Sequence, residues 1–247
     1  MKKRHNCLNC KHSDTCFTRN MTHEAKLVFS DYAKQCIVIP QGQSIFSEGK
    51  RSKSLYRLID GSAILTKKID FVEEQSVSVE LEGTLMGLDS IASGKQEMSA
   101  RALEDCLVCQ ISLSHLDDLA NNDKSVRQAS YKLLSKGLMA SKSATRSHVT
   151  KLNQGRAHLI VDLVYKLYLH KAKPEETSSF TLPIKNNDIA EIIGVSKEKV
   201  SRLFRELKRR NILIKKGRHI VVKDERMLSK IAEGAIKINN TQCHSSL

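Results

Sequence analysis

Residues 186–222 read NNDIAEIIGVSKEKVSRLFRELKRRNILIKKGRHIVV, and their pattern decides the C-terminal fold. Asn187 can cap a helix over 188–193, because its side chain can accept from the free N–H groups of the first turn. Gly194 breaks that helix, at the point where a turn between two helices favours glycine. Ser196 can cap a second helix over 197–210. Val200, Phe204 and Leu207 recur at i, i+4 and i+7 and mark its inward face. Lys197, Glu198, Ser201, Arg202 and Arg205 fall on the outer face or near the N-terminal end. Apolar runs at 212–214 and 220–222 flank Lys215, Lys216, Gly217 and Arg218, which predicts a β-hairpin with a basic tip. Helix, glycine turn, helix and basic hairpin form the pattern of a winged helix-turn-helix. Its second helix presents its N-terminal end to base edges in the DNA major groove.

The chemistry of these side chains divides the work. Arg202 can fork onto a guanine and Glu198 can accept from a cytosine amine. Ser201 can bond a base or a phosphate. Lys197, Arg205, Lys215, Lys216 and Arg218 suit phosphates, whose neutralisation carries no sequence information. Charge agrees with this assignment. Between Lys197 and Lys223 there are 11 Lys or Arg against two acids, Glu198 and Glu206, in a chain of 247 residues with net charge +14. An excess so placed favours double-stranded DNA as partner.

Upstream the texture changes. From residue 37 to about 111, short apolar runs alternate with turn residues, and six of the 11 glycines lie between Gly42 and Gly94. That texture predicts an all-β domain ending in a strand over 107–111. From 114 to 151 the period is helical and no proline interrupts it, which predicts one long helix. Residues 155–171 predict another helix, 180–184 a short strand, and the residues after 237 a polar, disordered tail. No run of 18 apolar residues exists and residues 1–20 lack an apolar stretch, so neither a membrane span nor a secretory signal is expected, and the location is expected to be cytoplasmic.

Seven cysteines, an odd number, argue against a disulfide framework in such a chain. Cys7, Cys10 and Cys16 lie within ten residues and have the spacing of metal ligands. Thiolate sulfur suits iron–sulfur clusters or zinc, and spacing alone leaves both open, with His5 and His12 as further candidate zinc ligands. Cys36 reads as a buried small hydrophobe and Cys243 as incidental.

The order of parts resembles the cyclic-AMP-receptor/FNR superfamily of bacterial regulators over nearly the whole chain. Residues 42–49 (GQSIFSEG), Leu55-Tyr56 and Asp60-Gly61 are similar to the superfamily's β-roll signature. Glu198-Lys199-Val200-Ser201-Arg202 resembles the Glu-x-x-Ser-Arg with which the FNR branch reads a TTGAT-type half-site. Cys7-x2-Cys10-x5-Cys16 resembles that branch's N-terminal cluster motif. The resemblance implies a [4Fe–4S] cluster held by Cys7, Cys10, Cys16 and Cys109, with Cys106 as a possible substitute, and favours the cluster over zinc. It also implies oxygen-dependent dimerisation through the long helix and contact with RNA polymerase. Cyclic-nucleotide branches place Glu after a glycine and Arg before a Ser or Thr. Here Leu88 follows Gly87 and Met98 precedes Ser99, so a cyclic phosphate would lack its charge partner and no cyclic nucleotide is expected.

The expected class is therefore α+β. Its parts are a cysteine-rich arm (1–22), a jelly-roll-like β-roll (23–113), a dimerisation helix (114–153), a winged helix-turn-helix (154–237) and a tail (238–247). Leu134, Leu138, Ser141 and Thr145 mark the dimer seam. No acid occurs from Lys124 to Val161, where eight residues are Lys or Arg, so the apo homodimer is expected to be marginal. One rival keeps the DNA binding but gives the cysteines to zinc or to a Cys106/Cys109 redox pair. The other, a metal-dependent enzyme, finds no nucleophile–base arrangement, phosphate loop or spaced carboxylate pair to support it.

Overall fold

The computed structural model describes residues 2–3, 7–32, 36–69, 74–153, 155–172, 178–236 and 238, without the side chains of 2, 3, 32, 140 and 143–153. The expectations about His5, Cys243 and the tail beyond 238 lie outside the described residues, as does the side chain of Thr145. The chain divides into two compact units, Met1–Lys142 and Ser143–Leu247.

The first unit opens with strand β1 (Lys2–Lys3), two 3-10 turns at Cys7–Asn9 and Phe17–Asn20, and helix α1 (His23–Tyr32). Then come β2 (Cys36–Ile39), β3 (Ser44–Phe46), β4 (Ser54–Asp60), β5 (Ser62–Lys68), β6 (Glu74–Leu81), β7 (Leu85–Met86), α2 (Ser90–Ser93), β8 (Ser99–Ala102) and β9 (Cys106–Ser112). The strands form two antiparallel sheets, in the orders β1-β2-β9-β4-β7 and β3-β8-β5-β6. Leu58 and Val108 of the first sheet meet Ala63, Ala100 and Ala102 of the second in one core.

The outer face of the first sheet is covered as well. Leu55, Ile59 and Ile111 pack there with Phe17 and Met21 of the arm, Phe29 of α1, and the helices that follow β9. A strand buried on both faces loses the apolar–polar alternation, which is why residues 107–109 read as a continuous apolar run. The arm is seated by Phe17, whose ring meets Phe29 edge-on at 5.5 Å between centroids.

The expected single helix is two, α3 (Leu113–Asn122) and α4 (Lys124–Asn153). Asp123 separates them, its carboxylate accepting from the N–H groups of Ser125 and Val126 at 2.7 and 3.1 Å. The apolar spacing continues across this cap, so periodicity alone does not show the break. Val126, Ala129 and Leu133 of α4 pack on the β unit. Tyr131, Leu134 and Leu138 lie on another face and are 65 %, 46 % and 59 % exposed. Ser141 is exposed on the same helix.

The second unit contains α5 (Arg156–Lys171), β10 (Ser179–Thr181), α6 (Asn186–Ile193), α7 (Lys197–Arg209), β11 (Leu213–Lys216), β12 (His219–Val222) and α8 (Glu225–Ala232). The expected strand over 180–184 is thus shorter and begins one residue earlier, while Leu182 and Ile184 still point into the core. The three strands form one sheet in the order β10-β12-β11. Among the described residues no helix is long and apolar enough to cross a membrane.

Candidate cysteine site and nucleic-acid interface

Register on the first sheet builds the cysteine site. Cys109 on β9 has Cys36 of β2 as its cross-strand partner on one side and Arg57 of β4 on the other. Residues directly opposite on neighbouring strands share a face, so all three point toward the arm. Cys106 lies three positions from Cys109, an odd number, and therefore on the other face. It is buried between the sheets against Gly61, where an added Cβ would stand 2.8 Å from its Sγ. Cys109, rather than Cys106, thus meets the arm, and a Cys106/Cys109 redox pair is corrected by the same geometry.

The arm is pinned over the sheet by short-range polar contacts. The Cys7 N–H donates to Ser30 Oγ at 3.1 Å, and the Cys16 N–H to the His12 carbonyl at 2.8 Å. His12 Nε2 bonds the Ile59 carbonyl at 3.0 Å, and Lys11 pairs with Glu82 at 2.9 Å. Cys7, Cys10, Cys16 and Cys109 then line one small cavity whose apolar wall includes Phe29, Ile59 and Ile111, with Arg57 at its edge.

The thiols of Cys7, Cys10 and Cys109 are held in the protonated form. Burial, followed by the neighbouring thiols Cys109, Cys16 and Cys10, pushes Cys7 up to about 12. Burial raises Cys10, while the hydrogen bond with Cys36 and then burial raise Cys109. Cys36 is fully buried, as expected of a small hydrophobe, yet its thiol also hydrogen-bonds Cys109.

This donor set is soft and largely dry, which suits a group bound through thiolates. Among the described residues no group of three or more His, Cys, Asp or Glu side chains is arranged to hold a single metal ion. Zinc needs its sulfurs about 2.3 Å from one point. His12, a candidate zinc ligand, already bonds Ile59 through Nε2.

The second site is α6 and α7. Helix α6 begins earlier than the Asn187 cap implies. The Lys185 N–H donates to the Asp188 carboxylate at 2.7 Å, while Asn187 lies inside the first turn and bonds Glu191. Gly194 ends α6 with φ +69, a left-handed conformation that a side chain disfavours. Ser196 caps α7 by accepting from the Lys199 N–H at 3.3 Å.

Val200, Leu203, Phe204 and Leu207 are buried under α7. Lys197, Glu198, Arg202 and Arg205 are exposed, as are Lys216 and Arg218 in the hairpin. Ser201 is half-buried and accepts from Asn186 Nδ2 at 3.3 Å, a partner the sequence reading missed. Lys215 lies over the Phe204 ring, 5.3 Å from its centroid, so its ammonium is engaged within the free protein. Glu206 pairs with Arg209 and Arg210 at 2.8 and 2.6 Å, and those bonds hold its carboxyl down at about 2. The only acid exposed on the reading face of α7 is therefore Glu198.

A β-roll followed along the chain by a winged helix-turn-helix defines a class of DNA-binding transcription regulators rather than enzymes. The comparisons agree. Residues 36–123 match the cyclic nucleotide-binding domain, and residues 157–231 match the Crp-like helix-turn-helix domain. The fumarate and nitrate reduction regulatory proteins of Yersinia pestis and Escherichia coli K12 are each 27 % identical over 227 residues, covering 92 % of this chain and 90 % of theirs. FixK2 from Bradyrhizobium japonicum has the same fold, with a TM-score of 0.63 at 21 % identity over 79 % of this chain and 95 % of its own. A CRP-family transcriptional regulator of Thermus thermophilus gives 0.61 at 15 % identity, over 83 % of this chain and 100 % of its own. With both domains matched in this order, the chain resembles the CRP/FNR superfamily on its FNR side and is a transcription regulator with a DNA-binding helix-turn-helix.

Proposed function

We propose that this regulator reads DNA only while a [4Fe–4S] cluster is held by Cys7, Cys10, Cys16 and Cys109, and so responds to oxygen. The observation that carries the reading is the gathering of four cysteines, three from the arm and one from β9, around one cavity. When bound, the cluster cross-links arm and sheet through four thiolates. The residues of this chain do the rest: Phe17, Phe29, Ile59 and Ile111 exclude water, and His12 and Ser30 fix the arm's path. The name of the curated relatives supports control of reductive metabolism. Gln96, Ser52 and Ser90 form a neutral hydrogen-bonded group near Gly87, which supports a β-roll that takes no cyclic nucleotide.

Protein purified without oxygen should be brown, contain iron and acid-labile sulfide, and bleach in air. A colourless protein with stoichiometric zinc would refute the cluster. Cys36→Ala should retain the full cluster, because the remaining four thiols complete the ligand set. Loss of iron from that variant, with the fold intact by circular dichroism, would make Cys36 a ligand instead.

The protein acts as a homodimer on a palindrome of TTGAT-type half-sites, whose centres stand roughly 34 Å apart. Exposed Tyr131, Leu134 and Leu138 on α4 support that seam. The basic run on the same helix opposes it, and opposition between exposed charges weakens with salt. Sedimentation should give the holo protein a dimer dissociation constant at least about tenfold below that of the apo protein at low salt, with a smaller gap at high salt. Equal constants for the two forms would remove dimerisation from the switch. RNA polymerase is the expected further partner.

A further inference from the structure

Arg57 lies in the middle of β4, on the face it shares with Leu55 and Ile59, and is only 6 % exposed. Its register partner is Cys109, and it borders the cysteine cavity. Nη2 donates to Thr15 Oγ1 at 3.1 Å, while Nε is buried with no hydrogen-bond partner. Among the described residues no carboxylate lies within ion-pair distance of it. A guanidinium does not lose its proton in a protein. Buried without a counter-charge, it is strongly unfavourable.

Strand β4 otherwise presents apolar residues to this layer, so a neutral side chain would fit the packing. What distinguishes the position is the cavity beside it. Cysteines that bind metal do so as thiolates. Four thiolates outweigh the charge of a [4Fe–4S] core or of a zinc ion, so either occupant is an anion. We infer that Arg57 is the built-in counter-charge for an anionic, thiolate-bound metal group in the cysteine cavity, satisfied when the group is present and left unpaired when it is absent. The inference rests on the cluster reading and adds to it a positioning residue that is not a ligand.

The two states then respond oppositely to the same substitution. In Arg57→Met the apo protein should melt at or above the wild-type temperature, because an unpaired buried charge is gone. The holo variant should release its iron to a ferrous chelator, without oxygen, roughly tenfold faster or more, as expected when a charge-assisted contact is lost. Arg57→Lys keeps the charge and should release iron at close to the wild-type rate. A wild-type release rate in Arg57→Met would overturn the inference. So would a lowered apo melting temperature in Arg57→Met with equally fast release from Arg57→Lys, since that pattern belongs to lost packing. If the wild type holds zinc instead, the cluster reading fails, while the same release measurement made with zinc still tests Arg57. If it holds no metal at all, both fail.

Discussion

Cys109→Ser, purified without oxygen, should contain no cluster, whereas Cys106→Ser should contain as much iron and sulfide as the wild type. The two residues are three apart on one strand and both buried, yet the expected effects differ completely. Cys109 faces the arm beside Cys7, Cys10 and Cys16, and Cys106 faces the second sheet. A serine hydroxyl is a poor substitute for a soft thiolate, and three remaining thiols leave one corner of the cubane open. The Cys109→Ser protein should also bind the palindromic site no better than unrelated DNA. Iron retention in Cys109→Ser with loss in Cys106→Ser would mean that the register of β9 against the arm is wrong.

Arg202→Ala should erase the preference for the TTGAT-type site while binding to unrelated DNA persists. Arg202 is exposed on the face of α7 opposite Val200, Leu203 and Phe204, with its guanidinium not engaged by the nearby Glu206, which is taken by Arg209 and Arg210. One bidentate arginine–guanine contact is worth about 1–3 kcal/mol of discrimination, or roughly 5- to 150-fold for each half-site. Lys216→Ala is the control. It should weaken all DNA alike and reduce the slope of log affinity against log salt by about one for each half-site. Specificity that survives in Arg202→Ala would shift the reading register along the helix.

How legible these sites are in the sequence depends on whether their determinants are local. The reading unit is local: the Ser196 cap, Gly194 and the apolar spacing of Val200, Phe204 and Leu207 lie within 14 residues of chain, and the structure keeps all of them. The three arm cysteines are also local. The remaining features depend on strand register, which one sequence does not give. Cys36 reads as an inert core residue until β2 is set beside β9. Arg57 is one charge in an apolar strand, and its meaning comes only from the partner across the ladder. The break at Asp123 is hidden for the opposite reason, because an aspartate on a helix reads as surface unless its cap bonds are seen. The interval from Asn186 to Ser201 shows the same limit, since their contact couples α6 to the reading face across the turn.

In the proposed reading, a cluster links the arm cysteines to the reading helix. One sample tests that link: wild-type protein prepared without oxygen and bound to a duplex carrying the palindromic TTGAT-type site, with visible absorbance and DNA affinity followed together as air is admitted. Colour and affinity should fall in step, with affinity for the site dropping at least about tenfold relative to unrelated DNA. Colour that bleaches while the site affinity stays unchanged would contradict a cluster-gated reading of DNA.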